Sequence, residues 1–280
     1  MDPKFHNDFR ELVRKVVNVE ILIVGNEILN GEVLDTNTNW LCKKVHGRGG
    51  AVVKVTVLPD VIEVIAEAVR GAVNRKIGIL FISGGLGPTS DDLTLQAVAE
   101  GTERELLLHP EALKMVRKQY DYFFSRGKVS QGGLTPAREK MACLPQGAEP
   151  LFNATGTAPG VFLQVEQTSI ISVPGVPSEQ KVIVNQSLKQ FLDQVFGEGE
   201  ALSRRVAVKC GAESLLEPAL IRIVEQYPEI YTKSLATAIG EKSELEIIMT
   251  ITGIGDKETL LNKAFQDLCS GITELGFTIK

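Results

Sequence analysis

The sequence predicts an α/β fold with three layers around a mostly parallel sheet, followed by a second, smaller α+β domain. Apolar runs without alternation, at 19–25 and 77–82, are typical of strands buried on both faces. Strand-like and helix-like segments alternate as βαβαβα through residue 100, which favours a parallel sheet with right-handed crossovers. After the Gly-Glu-Gly-Glu run at 197–200 the order changes to βαββα, which indicates a separate two-layer unit.

The elements of the main domain follow from hydrophobic periodicity and from capping residues. Predicted strands are 19–25, 51–57, 77–82 and 168–173, with a hairpin at 151–164. Predicted helices are 5–17, a helix ending near 45 after a cap at Asp35 or Thr36, 59–72, 93–100, 109–124, a short helix from 135, and 177–195. We therefore expect an N-terminal helix within 1–18 and a main domain at 19–200.

The small domain is expected at 201–280. Alternation predicts strands at 204–209, 235–239 and 245–252, and helical spacing predicts helices at 213–226 and 257–275. No catalytic cluster stands out there. No Gly-x-x-Gly lies between its helices to clamp an RNA backbone.

Composition narrows the class of protein. With 44% apolar and 23% charged residues, the 280-residue chain resembles an ordinary globular protein. A net charge of −5 without a long basic run disfavours a nucleic-acid partner. No apolar stretch approaches membrane-spanning length, and residues 1–15 lack a hydrophobic signal region. The scattered cysteines (Cys42, Cys143, Cys210 and Cys269) suggest neither a zinc site nor disulfides, so we expect a cytoplasmic protein.

The most informative stretch is Gly84-Gly85-Leu86-Gly87-Pro88-Thr89-Ser90-Asp91-Asp92, between a buried strand and a helix. Glycines let the backbone approach a ligand, and a helix start offers unpaired N–H groups to an anion. Asp91 and Asp92 would repel a phosphate unless a divalent cation joined them to it. The alternative is that Thr89 or Ser90 caps the helix while the carboxylates complement its dipole. Two adjacent carboxylates favour a ligand site. The spacing matches neither a Walker A loop nor a dinucleotide fingerprint.

Other loops follow strands and are expected at the same edge of the sheet. Glu27, after the first strand, is a candidate metal or ribose ligand. For Asp35 and Asn37, helix capping and a ligand role are equally good explanations. The 153–160 loop is either a surface hairpin tip or a source of hydrogen bonds to a nucleotide, and 174–179 forms a third strand-to-helix loop.

These motifs together resemble the CinA-type (competence/damage-inducible) proteins, whose main domain has the molybdopterin-binding fold. The matching segments are 25–31, 35–37, 84–94, 153–160 and 174–179, in the family's order. Residues 210–216 resemble the start of the family's small KH-like domain. The chain ends before the C-terminal nicotinamide-mononucleotide deamidase domain of full-length relatives, so that activity is not expected.

The resemblance implies an enzyme that hydrolyses a nucleotide pyrophosphate, such as ADP-ribose or FAD, with a divalent metal. The expected cofactor is Mg²⁺, Mn²⁺ or Co²⁺, with or without a monovalent cation. Asp91, Asp92 and Glu27 are the expected catalytic residues, and Asp91, Asp92 and Asp35 the expected metal ligands. The expected substrate-binding residues are Gly84, Gly85, Gly87, Thr89, Asn37, Asn153, Gly156, Thr157, Gly160, Pro174 and Gly175.

Two alternatives stay open: molybdopterin binding with adenylyl transfer from ATP, and a non-catalytic nucleotide-binding module. Either way, we expect a nucleotide or pterin ligand, no membrane partner and a homo-oligomer, such as a dimer. Two residues depart from the family pattern. Asn26 replaces a common Asp, which brings the metal affinity into question, and Gln180 replaces a common Met.

Overall fold

The computed structural model describes residues 16–197, 201–236, 244–251 and 256–280. The chain forms two compact units. The larger contains residues 16–45 and 50–197, and the smaller contains 46–49 and the described residues after 200. Most of the predicted N-terminal helix and residues 198–200 of the predicted linker lie outside the described residues.

The described chain up to residue 197 contains the following strands and helices. They are β1 (Asn18–Val24), α1 (Asn26–Leu29), α2 (Asn37–His46), β2 (Ala51–Leu58), α3 (Ile62–Asn74), β3 (Ile79–Ser83), α4 (Thr94–Gly101), β4 (Leu106–Leu108), α5 (Pro110–Ser125), α6 (Pro136–Lys140), β5 (Cys143–Pro145), β6 (Glu149–Leu151), β7 (Gly160–Val165), β8 (Thr168–Val173), α7 (Pro177–Val182) and α8 (Lys189–Phe196). A π-helical turn, Ile183–Ser187, joins α7 to α8 within the single helix that the sequence predicts.

The central sheet has six strands in the order β2-β1-β3-β8-β7-β6. Pairing is parallel from β2 to β8, whereas β7 and β6 pair antiparallel as the predicted hairpin. The prediction of a mostly parallel sheet is thus confirmed. A two-stranded sheet of β4 and β5 was not predicted, because strands of three residues carry little periodicity.

Helices cover both faces of the sheet, which confirms the three-layer architecture. Ile21, Phe81 and Ile171 align across the central strands and pack with α2, the π-helical turn and α8. Their neighbours Leu80 and Ile170 point to the opposite face and pack with α3, α4 and α5. Because both faces are buried, the central strands are mostly apolar.

The smaller unit has an antiparallel sheet and one apolar core. Its elements are β9 (Leu202–Lys209), a 3₁₀ turn (Glu213–Leu216), α9 (Glu217–Gln226), β10 (Ile230–Ala236), β11 (Glu244–Ile251), α10 (Lys257–Glu274) and β12 (Thr278–Ile279). The strand order is β10-β11-β9-β12. This confirms a second, smaller α+β domain. The predicted strand at 235–239 is wrong in its start, since β10 begins at Ile230, and 237–239 lie outside the described residues.

None of the helices in the described part of the chain is both long and apolar enough to cross a membrane.

Candidate functional site

A cavity of about 500 Å³ opens where β1, β3 and β8 end, at the carboxyl edge of the parallel strands. Ligands of open α/β sheets bind at this edge. The lining residues are Val24, Gly25, Glu27, Asp60, Gly84, Gly85, Leu86, Gly87, Pro88, Asp91, Asp92, Thr157, Ala158, Pro174, Gly175, Val176 and Glu179. Three of the strand-to-helix loops singled out in the sequence therefore meet in one place.

The glycine loop after β3 is fixed by backbone contacts. Gly84 N donates to Val173 O at 3.0 Å, which ties the loop to β8. From the start of α4, Thr94 Oγ1 donates to Gly84 O at 2.8 Å and Thr94 N donates to Gly85 O at 3.2 Å. The N–H groups of the next residues, 85–87, have no acceptor within the described part of the chain. They are available to an anionic ligand in the cavity.

The backbone conformation at position 84 requires a glycine. Its φ is +110°, and a Cβ there would lie 2.1 Å from Val24 O, so no other residue fits without moving β1.

Asp91 and Asp92 converge on one hydroxyl group. Thr89 Oγ1 lies 2.6 Å from Asp92 Oδ2 and also contacts Asp91 Oδ1. One hydroxyl proton satisfies only one carboxylate at a time, so the pair has spare acceptor capacity that suits a cation. The Thr89 hydrogen bond, with Lys140 nearby, lowers the pKa of the Asp91 carboxyl.

The capping alternative for this loop is wrong. Helix α4 begins at Thr94, and its N-cap, Leu93, makes no side-chain capping bond. Thr89 and Ser90 precede the cap, so they do not cap the helix.

Three further carboxylates line the cavity. Glu27 folds back over Gly25, where a Cβ would lie 2.6 Å from Glu27 Oε1. Asp60, which the sequence argument treated only as a helix start, accepts from Asn26 N at 2.9 Å. Glu179 lies in the first turn of α7. Among the lining residues in the described chain there is no Lys or Arg. A phosphate ligand would therefore need a cation of its own.

Glu179 is held by the hairpin loop between β6 and β7. Asn153, only 2% exposed, donates from Nδ2 to Glu179 Oε2 at 2.7 Å and to Ala158 O at 2.9 Å. Burial raises the pKa of the Glu179 carboxyl. The other oxygen, Oε1, has no donor within the described residues. Sequence reasoning quoted Glu179 as part of a motif without giving it a role.

The hairpin loop itself is tied down by a buried amide. Gln119 Nε2 donates to Asn153 O at 2.5 Å and to Gly156 O at 2.8 Å. A Cβ on Gly156 would lie 1.9 Å from Glu179 Oε2. Asn153 and Gly156 therefore support the cavity wall without lining the cavity, whereas Thr157 lines it.

The structure places several predicted residues away from the main cavity. Asp35 Oδ1 accepts from Thr38 N at 2.9 Å, as a helix cap does. Asn37 Nδ2 donates to Ser83 Oγ at 3.1 Å and to Gly175 O at 2.7 Å, so it positions a lining residue. Both lie in a separate cavity of about 70 Å³. Asp35 is thus not brought together with Asp91 and Asp92.

The remaining departures concern Gly160, Asn26 and Gln180. Gly160 packs against Ile183, 3.0 Å from where its Cβ would be. Asn26 is exposed and does not line the cavity. The change from the common Asp to Asn at this position therefore removes none of the carboxylates that line it. Gln180 is fully buried, and neither side-chain atom has a hydrogen-bond partner within the described chain.

A divalent cation fits this donor set only together with a ligand. Within the described residues no three His, Cys, Asp or Glu side chains form a metal-binding group. Mg²⁺ in phosphate sites commonly takes one or two protein carboxylates, the remaining positions going to phosphate oxygens and water. Asp91 and Asp92 match that requirement.

Comparisons with known proteins show the family to which this chain belongs. Residues 20–194 match the family model described as "Probable molybdopterin binding domain". A protein of Aeropyrum pernix is 37% identical over 262 residues, which cover 92% of this chain and 95% of the relative. A protein of Thermococcus kodakarensis is 33% identical over 252 residues, covering 88% and 99% respectively.

Among solved structures, the protein CinA of unknown function from Thermoplasma acidophilum is 33% identical, with a TM-score of 0.56. The match covers 62% of this chain and 98% of that chain. A KH-like character for residues 201–280 and the absence of a deamidase domain stay predictions.

Proposed function

Since this chain belongs to the family of probable molybdopterin binding domains, we propose that its cavity binds a phosphate-bearing nucleotide or pterin and that the chain hydrolyses a nucleotide pyrophosphate there. One observation carries the proposal. Three N–H groups without acceptors, at 85–87, stand beside Asp91 and Asp92 in a cavity whose described lining has no Lys or Arg.

Each part of the cavity has a role in this reaction. The amides of Gly85, Leu86 and Gly87 hold phosphate oxygens and stabilise the charge that develops on them. Asp91 and Asp92 would hold a divalent cation, with Glu27 close by in the lining. Such a cation, when bound, neutralises the pyrophosphate and favours attack on phosphorus.

Glu179 is the proton acceptor in this proposal. Its raised pKa brings it closer to the working pH of a general base, and its Oε1 has no donor in the described chain. Water loses a proton to Glu179 Oε1 and forms a bond to phosphorus, and the bridging P–O bond breaks. The products are two monophosphates, one of them AMP when ADP-ribose or FAD is the substrate.

The test is AMP release from ADP-ribose and from FAD, with Mg²⁺, Mn²⁺ or Co²⁺. We expect Asp91→Asn and Asp92→Asn each to lower kcat at least about 100-fold. Glu100→Gln, an exposed carboxylate on α4, is the matched control and should be unaffected. Absence of AMP with every metal contradicts hydrolysis, and full turnover in both Asp variants contradicts their roles.

Adenylyl transfer to molybdopterin is the second candidate. The description of the matching family favours it, since residues 20–194 cover the whole cavity lining. Incubation with ATP and molybdopterin would then yield an adenylylated pterin and pyrophosphate, without attack on ADP-ribose.

A non-catalytic binding module is the third candidate. It is favoured by the lack of a group of three metal-ligating side chains in the described chain. Tight, metal-independent binding of ADP-ribose or molybdopterin without any product would distinguish it from both enzymes.

A further inference from the structure

A second cavity, of about 380 Å³, is also lined by the glycine loop. It shares Gly85, Leu86, Gly87 and Asp92 with the first cavity, so the loop backbone is a common wall. The remaining lining residues are Leu95, Gln96, Leu106, Leu108, Pro136, Glu139, Lys140, Met141 and Cys143. The two cavities therefore form adjoining compartments around one backbone segment.

The second cavity is apolar on its walls and polar at a few points. Leu95 and Met141 are buried in its floor, at 8% and 2% exposure. Leu106 and Leu108, on β4, are 38% and 51% exposed. An apolar ligand that covers this exposed leucine surface would gain about 25 cal/mol of binding free energy for each Å² removed from water.

We propose that this second cavity binds the planar heterocyclic ring of the ligand whose phosphate group binds the amides of 85–87. The proposal depends on the proposed function only for the position of the phosphate group, and it does not depend on hydrolysis. Cavities of this size and polarity suit small ligands, with apolar walls for ring faces and a few polar groups for ring edges. Gln96 and Glu139 supply those polar groups here. A purine, a flavin and a pterin all meet this description.

The adjacency of the two cavities favours this occupant. A nucleotide or phosphorylated pterin has one anionic end and one flat, largely apolar end. The amides of 85–87, which have no acceptor within the described chain, belong to residues that line both compartments, and the second compartment adds leucine and methionine walls. A ligand that extends from one compartment into the other can therefore contact both.

Thiol footprinting of the full chain tests the proposal without turnover. Cys143 lies in the wall of the second cavity, and Cys42, on α2, lines neither cavity. Burial is the main cause of the raised pKa of both thiols, so Cys42 is an internal control. Alkylation at each cysteine is followed by mass spectrometry with ADP-ribose, FMN or a pterin monophosphate, which are the ring-bearing ligands. Pyrophosphate and ribose 5-phosphate, which lack a planar heterocyclic ring, are the ring-free ligands.

We expect at least one ring-bearing ligand, at ten times its Kd, to slow Cys143 alkylation about tenfold. Cys42 should keep its rate, and the ring-free ligands should leave Cys143 unprotected. The three ring-bearing ligands separate the purine, flavin and pterin sources. Equal protection by ring-bearing and ring-free ligands, or none by any ligand that calorimetry shows to be bound, overturns the proposal.

A pair of variants on β4 gives a second measurement. Leu108→Lys places a charge in the cavity wall and should weaken the ring-bearing ligand about tenfold, while pyrophosphate binding stays the same. Leu107→Lys is the matched control, because Leu107 is 46% exposed on the same strand and does not line the cavity. Equal effects of the two variants overturn the proposal.

A third outcome would also overturn the proposal: association between copies of the chain that covers β4 and protects Cys143 when no ligand is present. The second cavity would then be part of an interface between copies. Protection of Cys143 without AMP release upholds the ring site and removes only the hydrolase.

Discussion

Gly84 connects the backbone conformation of one residue to the geometry of the site. Its φ of +110° turns the chain out of β3, and residues 85–87, whose N–H groups have no acceptor within the described chain, line the cavity. Val24 O on β1 leaves no space for a Cβ. A glycine at this position is therefore a steric requirement of the loop.

Gly84→Ala should destabilise the protein by about 3 kcal/mol or more, since backbone strain and a 2.1 Å clash with Val24 O add together. Gly127→Ala is the control. Its φ is also positive, at +66°, but no atom of the described residues lies within 4 Å of the position that its Cβ would take, so about 1 kcal/mol is expected. Urea unfolding measures both, and equal losses would show that the contact with β1 is unimportant.

Glu179 couples the stability of the cavity wall to pH. Because burial raises its pKa above 4.5, the folded state binds a proton here more tightly than the unfolded state does. By linkage, stability from this group falls as pH rises from 4.5 through the folded-state pKa. The ionised carboxylate is thus destabilising at neutral pH.

Glu179→Gln should unfold at a higher temperature than the wild type near neutral pH, because the amide keeps an acceptor for Asn153 without a buried charge. The difference should shrink as pH approaches 4.5. Calorimetry across this range is the measurement. A difference that stays constant with pH would contradict the assignment.

At the scale of elements, the crossing of α3 and α4 supports the glycine loop. Thr94, the first residue of α4, binds the loop, while Gly101, the last, lies against α3. A Cβ on Gly101 would be 2.7 Å from Ala66 O and 3.0 Å from Val69 Cβ. The close approach of the helices therefore depends on a residue without a side chain.

Gly101→Ala should cost about 1–3 kcal/mol, because the added methyl group forces the helices apart. Gly271→Ala, within α10, is the control. There the nearest atom is Ala219 Cβ at 3.4 Å, an ordinary van der Waals contact, and the better helix propensity of Ala should make the change neutral or stabilising. Thermal unfolding compares the two, and a neutral Gly101 variant would show that the crossing adapts.

The whole molecule contains separate cores in its two units. The core clusters of the larger unit lie within residues 17–196, and that of the smaller unit lies within 202–279. All residues lining both cavities belong to the larger unit. Folding and ligand binding of the larger unit should therefore not require the smaller one.

A fragment of residues 1–197 should unfold cooperatively and bind ADP-ribose or a pterin monophosphate as the full chain does. Circular dichroism and calorimetry check the two statements. A fragment that is folded but has lost binding would show that residues after 200 contribute to the site.

Local sequence determined a large part of this protein. Apolar segments, interrupted in β1 by Glu20, predicted β1 and β3, and the polar pair Asp35 and Thr36 predicted the start of α2. The glycine and carboxylate pattern after β3 identified the loop that lines both cavities. The resemblance to CinA-type proteins with the molybdopterin-binding fold is confirmed by the matches to the family and to the Thermoplasma protein. Each of these signals lies within a few consecutive residues.

Tertiary structure decided which of the candidate residues share the cavity. Asp35 and Asn37 lie in a different cavity from Asp91, whereas Asp60 and Glu179, for which no individual role is predicted from the sequence, line the same one as Asp91. The second cavity depends on β4 meeting α4 and α6, from distant parts of the chain. The physical reason is that strand order and helix packing set which loops meet, and no local pattern contains that information.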